Sequence, residues 1–291
     1  MSEAGAPRLA SESIAGQRPY QEDAVLHERL SDGRLLLAVA DGMGGHAAGD
    51  VASALALEAL KRGLEDGKSL GEAVTEANAE VHRKSKEPGK HGMGTTLVAA
   101  IQDGGELLLA NVGDSRGYVL TGSGIRQVSR DHSFVAEAIR RGQSEEEAKS
   151  SRWKDALTRS IGTEPSVEVD VFGPFPVEAN SALLLCSDGL YKTLTDDDLA
   201  MVFRASGGPR GAAQSLTATA FDRGSDDNIS VVVAEWGEVP RERPAGTMPL
   251  EYDPPDGHPP TAATGEEPEP DDPPDEGDDG GDRPWWKKVF S

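Results

Sequence analysis

Three times in this chain an apolar run ends in an aspartate beside a small residue: LLLAVAD at Asp41-Gly42, LLLANVGD at Asp114-Ser115 and ALLLCSD at Asp188-Gly189. A fourth site reverses the order, with Asp226-Asp227-Asn228 leading into Ile229–Trp236. Strand ends are rigid, so carboxylates placed on them can converge on a fixed point, and converging carboxylates repel one another unless a cation neutralises them. With no Cys/His cluster for zinc, the matching cation is hard and oxygen-loving, Mg²⁺ or Mn²⁺. Glu22-Asp23 offers further oxygen ligands. A single Asp-Gly pair reads as an ordinary turn. Its recurrence at strand ends favours a ligand set.

Those ends need strands to carry them. Apolar runs bounded by Gly, Asp or Asn predict strands over Arg34–Ala40, Thr95–Ile101, Glu106–Val112, Gly117–Leu120, Ser181–Cys186 and Ile229–Trp236. Helical periodicity predicts helices over Gly49–Leu64, Leu70–Lys86, Phe134–Arg141, Asp196–Arg204 and Gly211–Asp222. The gaps Gln102-Asp103-Gly104-Gly105 and Gly113-Asp114-Ser115 are too short for parallel crossovers, so Thr95–Leu120 is expected to form an antiparallel meander of three strands. The pattern is α+β rather than doubly wound, and no internal repeat is present.

Composition narrows the function classes. The 291 residues carry a formal net charge of −22, which argues against nucleic acid or an anionic bilayer as partner. Cys186, the single cysteine, permits no internal disulfide. No apolar run approaches the length of a membrane span, and MSEAGAPRLASES lacks a signal-peptide pattern, so a soluble cytoplasmic protein is expected. The last 52 residues hold 12 of the 19 prolines and 14 acidic against 5 basic residues. Residues 1–239 are therefore expected to form one folded domain, 240–282 a disordered Pro/acidic linker, and 283–291 an aromatic-basic segment. Within that segment Trp285–Phe290 is a candidate docking element for a membrane surface, a partner protein or the domain's own surface, against a terminus with no role.

Other motifs compete with the carboxylates for attention. Gly42-Met43-Gly44-Gly45-His46-Ala47 fits the glycine pattern of a dinucleotide-binding loop, but Asp41 would set a charge beside the pyrophosphate and the antiparallel meander disagrees with a parallel sheet. No Walker-type Gly-Lys-Ser/Thr occurs. Cys186 lies in an apolar strand without a surrounding phosphate-binding Arg loop and reads as a core thiol. Ser187 and Ser115 have no positioned base and read as turn or hydrogen-bonding residues.

In chain order, Arg18-Pro-Tyr-Gln-Glu22-Asp23, VADGMGGHAAG (Val39–Gly49), GMGTT (Gly92–Thr96), NVGDSRGY (Asn111–Tyr118), RDHS (Arg130–Ser133), SIGT (Ser160–Thr163), CSDGL (Cys186–Leu190) and SDDNIS (Ser225–Ser230) resemble the metal-dependent protein phosphatase family, type 2C (PPM), and its bacterial branch most closely. The resemblance spans about Leu9 to Trp236. It implies a four-layer α-β-β-α sandwich, with two antiparallel β-sheets flanked by helices, and hydrolysis of phosphoserine and phosphothreonine in proteins. By the same resemblance Asp41 bridges two Mn²⁺ or Mg²⁺ ions, Gly42 contributes its carbonyl, Glu22 serves one ion, and Asp188 and Asp227 serve the other. Asp114 joins Asp188 on a weaker third ion, Asp23 orients water, and Arg18 grips the substrate phosphate. Water bridging the metals would attack phosphorus directly, without a phosphoenzyme.

The departures from the family pattern are Gln21, where Asn is frequent, and Met43, where some members carry a histidine. His46 is then the nearest candidate acid for the leaving group, against a packing role at the helix start. Asp131–Val169 corresponds to the family's variable flap. It mixes Arg140, Arg141, Arg152, Lys154 and Arg159 with Glu145, Glu146 and Glu147, and reads as a solvated surface or as a phosphopeptide contact. The expected partners are phosphorylated Ser/Thr proteins and a Ser/Thr kinase that the enzyme opposes, and the expected state is a monomer. The alternatives are a non-catalytic module on the same fold and a dinucleotide-binding protein using Gly42–Ala47.

Overall fold

The structure is a computed structural model that describes residues 5–44 and 48–240. His46, the linker beyond Pro240 and the aromatic-basic segment lie outside the described residues. In chain order the elements are β1 (Arg8–Ile14), β2 (Asp23–Arg29), β3 (Leu35–Met43), α1 (Gly49–Glu65), α2 (Leu70–Lys84), β4 (Gly94–Thr95), β5 (Leu97–Asp103), β6 (Glu106–Val112), β7 (Arg116–Thr121) and β8 (Gly124–Gln127). They continue with α3 (Phe134–Arg140), α4 (Glu145–Ser150), β9 (Asp170–Pro176), β10 (Ser181–Cys186), α5 (Asp188–Tyr191), α6 (Asp196–Ala205), α7 (Pro209–Asp222) and β11 (Ile229–Trp236).

Two antiparallel sheets result, ordered β1-β11-β10-β7-β8 and β2-β3-β5-β6-β9, with β4 pairing β3 off the second path. Strand alternation sorts their side chains into three apolar layers. Along β3, Leu36, Ala38 and Ala40 pack on α1 and α2, whereas Leu35, Leu37 and Val39 face the other sheet together with Leu183, Leu185, Val232 and Trp236. Cys186, on the opposite face of β10, packs with Phe203 and Leu216 of α6 and α7. It is fully buried, and burial pushes its thiol well above the ordinary range. This is the four-layer sandwich that the resemblance implies.

The three-strand meander does not form. β5 and β6 pair as expected, but β6 continues to β9 and β7 pairs with β10 and β8 in the other sheet. At Gly113-Asp114-Ser115 the chain crosses between sheets instead of reversing within one. The corner is built for the crossing: Gly113 has φ +102°, and a Cβ there would lie 2.7 Å from Thr96. His132 closes the loop, its Nδ1 accepting from the Gly113 N–H at 3.1 Å and its own N–H donating to the Gly113 carbonyl at 2.9 Å. A short gap excludes a parallel crossover, but in a sandwich it does not require a hairpin.

The expected strand Thr95–Ile101 is split into β4 and β5, and four further strands and two short helices were not expected from the sequence. β1 and β2 alternate half-buried polar residues, β8 spans four residues, and β9 contains Gly173 and Pro174. β9 is an edge strand, where a missing N–H is tolerated. α4 and α5 hold six and four residues, too few for a periodicity to emerge.

Candidate active site

The strand parity that orders the core also builds the cleft. Asp41 follows Leu35, Leu37 and Val39 on the inter-sheet face of β3 and lies opposite Asp23 in the β2–β3 register, so both carboxylates share one face at the end of the inter-sheet core. Ser187, two residues beyond Leu185, reaches from the other sheet and donates to Asp23 Oδ2 at 2.8 Å. The Ser187 Oγ also accepts from the Ser230 N–H at 3.0 Å, tying β11 to the same point.

Glu22 is held by its backbone from three directions. Its N–H donates to Asn228 Oδ1 at 2.8 Å, while its carbonyl accepts from Ser53 Oγ at 2.6 Å and from the Gly42 N–H at 3.2 Å. The Asn228 amide further donates to the carbonyls of Ala15 and Tyr20. Two glycines permit this closeness: a Cβ on Gly42 would lie 2.2 Å from the Gly49 carbonyl oxygen, and one on Gly189 would lie 2.1 Å from that of Asn228. Any side chain at either place would push apart the segments that carry Glu22, Asp188 and Asp227.

The charges respond to this crowding. Burial, then the neighbouring Asp23 and Asp188 charges, holds Asp41 well above the ordinary carboxylate range. Burial raises Asp23 to about 7, against hydrogen bonds from Ser230 and Ser187, and raises Asp114 to about 7 with repulsion from Asp188 added. Asp227 is raised for the same two reasons, burial and Asp188. Cationic side chains answer part of the charge: Arg18 Nη2 donates to Asp227 Oδ2 at 2.8 Å, and Lys192 Nζ to Asp188 Oδ2 at 2.5 Å.

A divalent ion fits this donor set. Its side-chain donors are carboxylate oxygens, and Glu22 Oε1, Asp23 Oδ1 and Asp188 Oδ1 are buried without a hydrogen-bond partner, an arrangement that costs free energy unless a cation completes it. Among the described residues, no three His, Cys, Asp or Glu side chains are drawn together into a closed ligand group. Arg18 pairs with Asp227 Oδ2 and Lys192 with Asp188 Oδ2. The donor chemistry and the orphaned oxygens, rather than a preformed cage, support the fit.

The fold therefore brings Arg18, Glu22, Asp23, Asp41, Gly42, Asp114, Asp188 and Asp227 to one end of the sandwich. Sequence reasoning missed the residues that hold them: Ser187 as a bridge between sheets, Asn228 as the anchor of Glu22, Tyr191, whose hydroxyl meets Asp114, and Lys192. Only Lys192 left a readable signal, a cation four residues after Asp188. In the flap, Arg141 pairs with Glu137, Lys149 with Glu145, and Arg159 with Glu168 and Asp170.

A profile of the Protein phosphatase 2C family matches residues 12–220, and the chain belongs to that family. The serine/threonine phosphatase stp of Listeria monocytogenes is 38% identical over 216 residues, covering 70% of this chain and 85% of that protein. Among solved structures, the Streptococcus agalactiae serine/threonine phosphatase superposes with a TM-score of 0.73 at 30% identity, over 79% of this chain and 99% of the other. The catalytic domain of the serine/threonine protein phosphatase PstP, solved with two manganese ions, gives a TM-score of 0.66 at 32% identity, over 80% and 99%. The family is metal-dependent, and these matches favour a phosphatase over a dinucleotide-binding protein.

Proposed function

We infer that this chain is a protein-serine/threonine phosphatase that uses Mn²⁺ or Mg²⁺. The observation that carries the reading is that Asp23, Asp114, Asp188 and Asp227 lie near enough for their charges to act on Asp41, while Glu22 Oε1, Asp23 Oδ1 and Asp188 Oδ1 are buried without a partner. Glu22, Asp41 and the Gly42 carbonyl would hold one ion, and Asp41, Asp188 and Asp227 a second. When bound, the ions supply Lewis acidity toward water and phosphate oxygens.

The chain's own groups do the rest. Arg18 is half exposed, and its Nε and Nη2 are engaged by the Asp226 carbonyl and Asp227. Nη1 would then be left to grip a substrate phosphate oxygen. Ser187 fixes the Asp23 carboxylate beside Asp41, where it would orient water. The substrates are phosphorylated Ser/Thr proteins, and a Ser/Thr kinase is the enzyme whose product they are. We place the enzyme in the cytoplasm as a monomer. His46 remains a candidate leaving-group acid.

Release of inorganic phosphate from a phosphothreonine peptide, measured with and without Mn²⁺, tests this reading. Activity should require the metal, and Asp41→Asn should lower kcat by about 10³-fold or more. Full activity in EDTA, or an unimpaired Asp41→Asn enzyme, would overturn it.

A further inference from the structure

The two oxygens of Asp188 have different surroundings. Oδ1 is buried and unpartnered, whereas Oδ2 is capped by the Lys192 ammonium at 2.5 Å. The contact is built into the chain, because side chains four residues apart meet across one helical turn. Lys192 also lines the cavity that contains Asp114, Tyr191 and Asp155, and its positive charge acts on the Asp114 carboxyl while the Asp188 charge opposes it. Two carboxylates facing one cleft are where an additional divalent ion would collect. Here a tethered monovalent cation is paired with Asp188 and shares its cavity with Asp114.

Resting on the metal reading of the site, we propose that Lys192 is a resident cation that takes the place of a further divalent ion between Asp114 and Asp188, leaving the inner face of Asp188 for metal and closing its outer face. The tether keeps the ammonium at high local concentration, and an incoming ion would have to displace it or sit beside a like charge. The lysine side chain is 48% exposed, so it can be shortened or neutralised without opening the core.

Calorimetric titration of the full chain with Mn²⁺ tests the proposal, comparing wild type with Lys192→Met, Lys192→Gln and Lys192→Arg. Lys192→Met and Lys192→Gln should each bind one more Mn²⁺, or bind their weakest ion about tenfold more tightly. Lys192→Arg, which keeps the charge, should titrate like wild type. Adding Asp114→Asn to Lys192→Met should erase the gain. If wild type binds its two ions and both neutral variants titrate identically to it, the role of Lys192 is overturned while the metal reading stands. If wild type binds no Mn²⁺, both fall together.

Discussion

Asp23 shows how a single residue serves both sheets. Its backbone lies in β2, its carboxylate faces Asp41, and Ser187 from the opposite sheet donates to it. Ser187→Ala removes that donor and also leaves the buried Ser230 N–H without its acceptor. A loss of about 1–3 kcal/mol in urea unfolding is expected, with weakened Mn²⁺ affinity beside it. The carboxylates set a pH dependence of definite sign. Asp23 and Asp114 near 7, with Asp41 and Asp227 also raised, bind protons more readily folded than unfolded. The contribution of Asp23 and Asp114 to stability is thus present below the ordinary carboxylate range and is lost as pH rises through about 7, and that of Asp41 and Asp227 is likewise lost as pH rises. His132 acts oppositely: burial lowers its affinity for a proton, so its contribution fades only as pH falls below about 6.5. The urea midpoint of the metal-free protein should rise between about pH 8 and about pH 6, and Mn²⁺ should flatten that slope. A midpoint that falls over this range would contradict the assignment.

At the scale of elements, the junction of α5 with the start of β11 is closely packed. Gly189 packs directly on the Asn228 carbonyl, and its own carbonyl accepts from Ser225 Oγ at 2.8 Å. Gly189→Ala should therefore separate Asp188 from Asp227. Activity should fall by about tenfold or more, together with a lower melting temperature. A cap remote from the cleft provides the contrast. Thr195 and Asp198 form a capping box at the start of α6, and Arg223 of the α7 end pulls Asp198 down to about 2. Thr195→Ala should cost about 1 kcal/mol in unfolding free energy while phosphate release stays unchanged. Equal losses of activity in the two variants would show that the cleft is not the element junction described.

For the whole molecule, β11 completes the inter-sheet core with Trp236, and Val239 is buried just beyond it. These contacts close the apolar layers before the Pro/acidic stretch begins. We propose that a chain ending at Pro240 folds and keeps full turnover of a small phosphate ester, and that any role of Trp285–Phe290 concerns location or protein substrates. A truncated chain with a lower melting temperature and reduced small-substrate turnover would place part of the folded unit beyond that boundary. Among the described residues no helix is long and apolar enough to cross a membrane.

The division between what sequence determined and what tertiary structure decided follows the range of the forces involved. Apolar runs of six to eight residues, such as those of β10 and β11, declare themselves because burial on both faces demands continuous hydrophobicity. The aspartates after them stand out because a charge beside a core strand needs a reason. Short or polar elements did not declare themselves: β1 and β2 are half-buried, and β9 owes its place to an edge that tolerates Pro174. Nor could spacing tell that Gly113–Ser115 crosses between sheets, since the deciding contacts come from Thr96 and His132, each about 20 residues away. The same holds for the cleft. Sequence supplied the carboxylates and, through ordered motifs, their family, whereas Asn228 on Glu22, Ser187 on Asp23 and Arg18 on Asp227 join residues far apart in the chain. Such pairings are set by packing, which only the folded chain brings about.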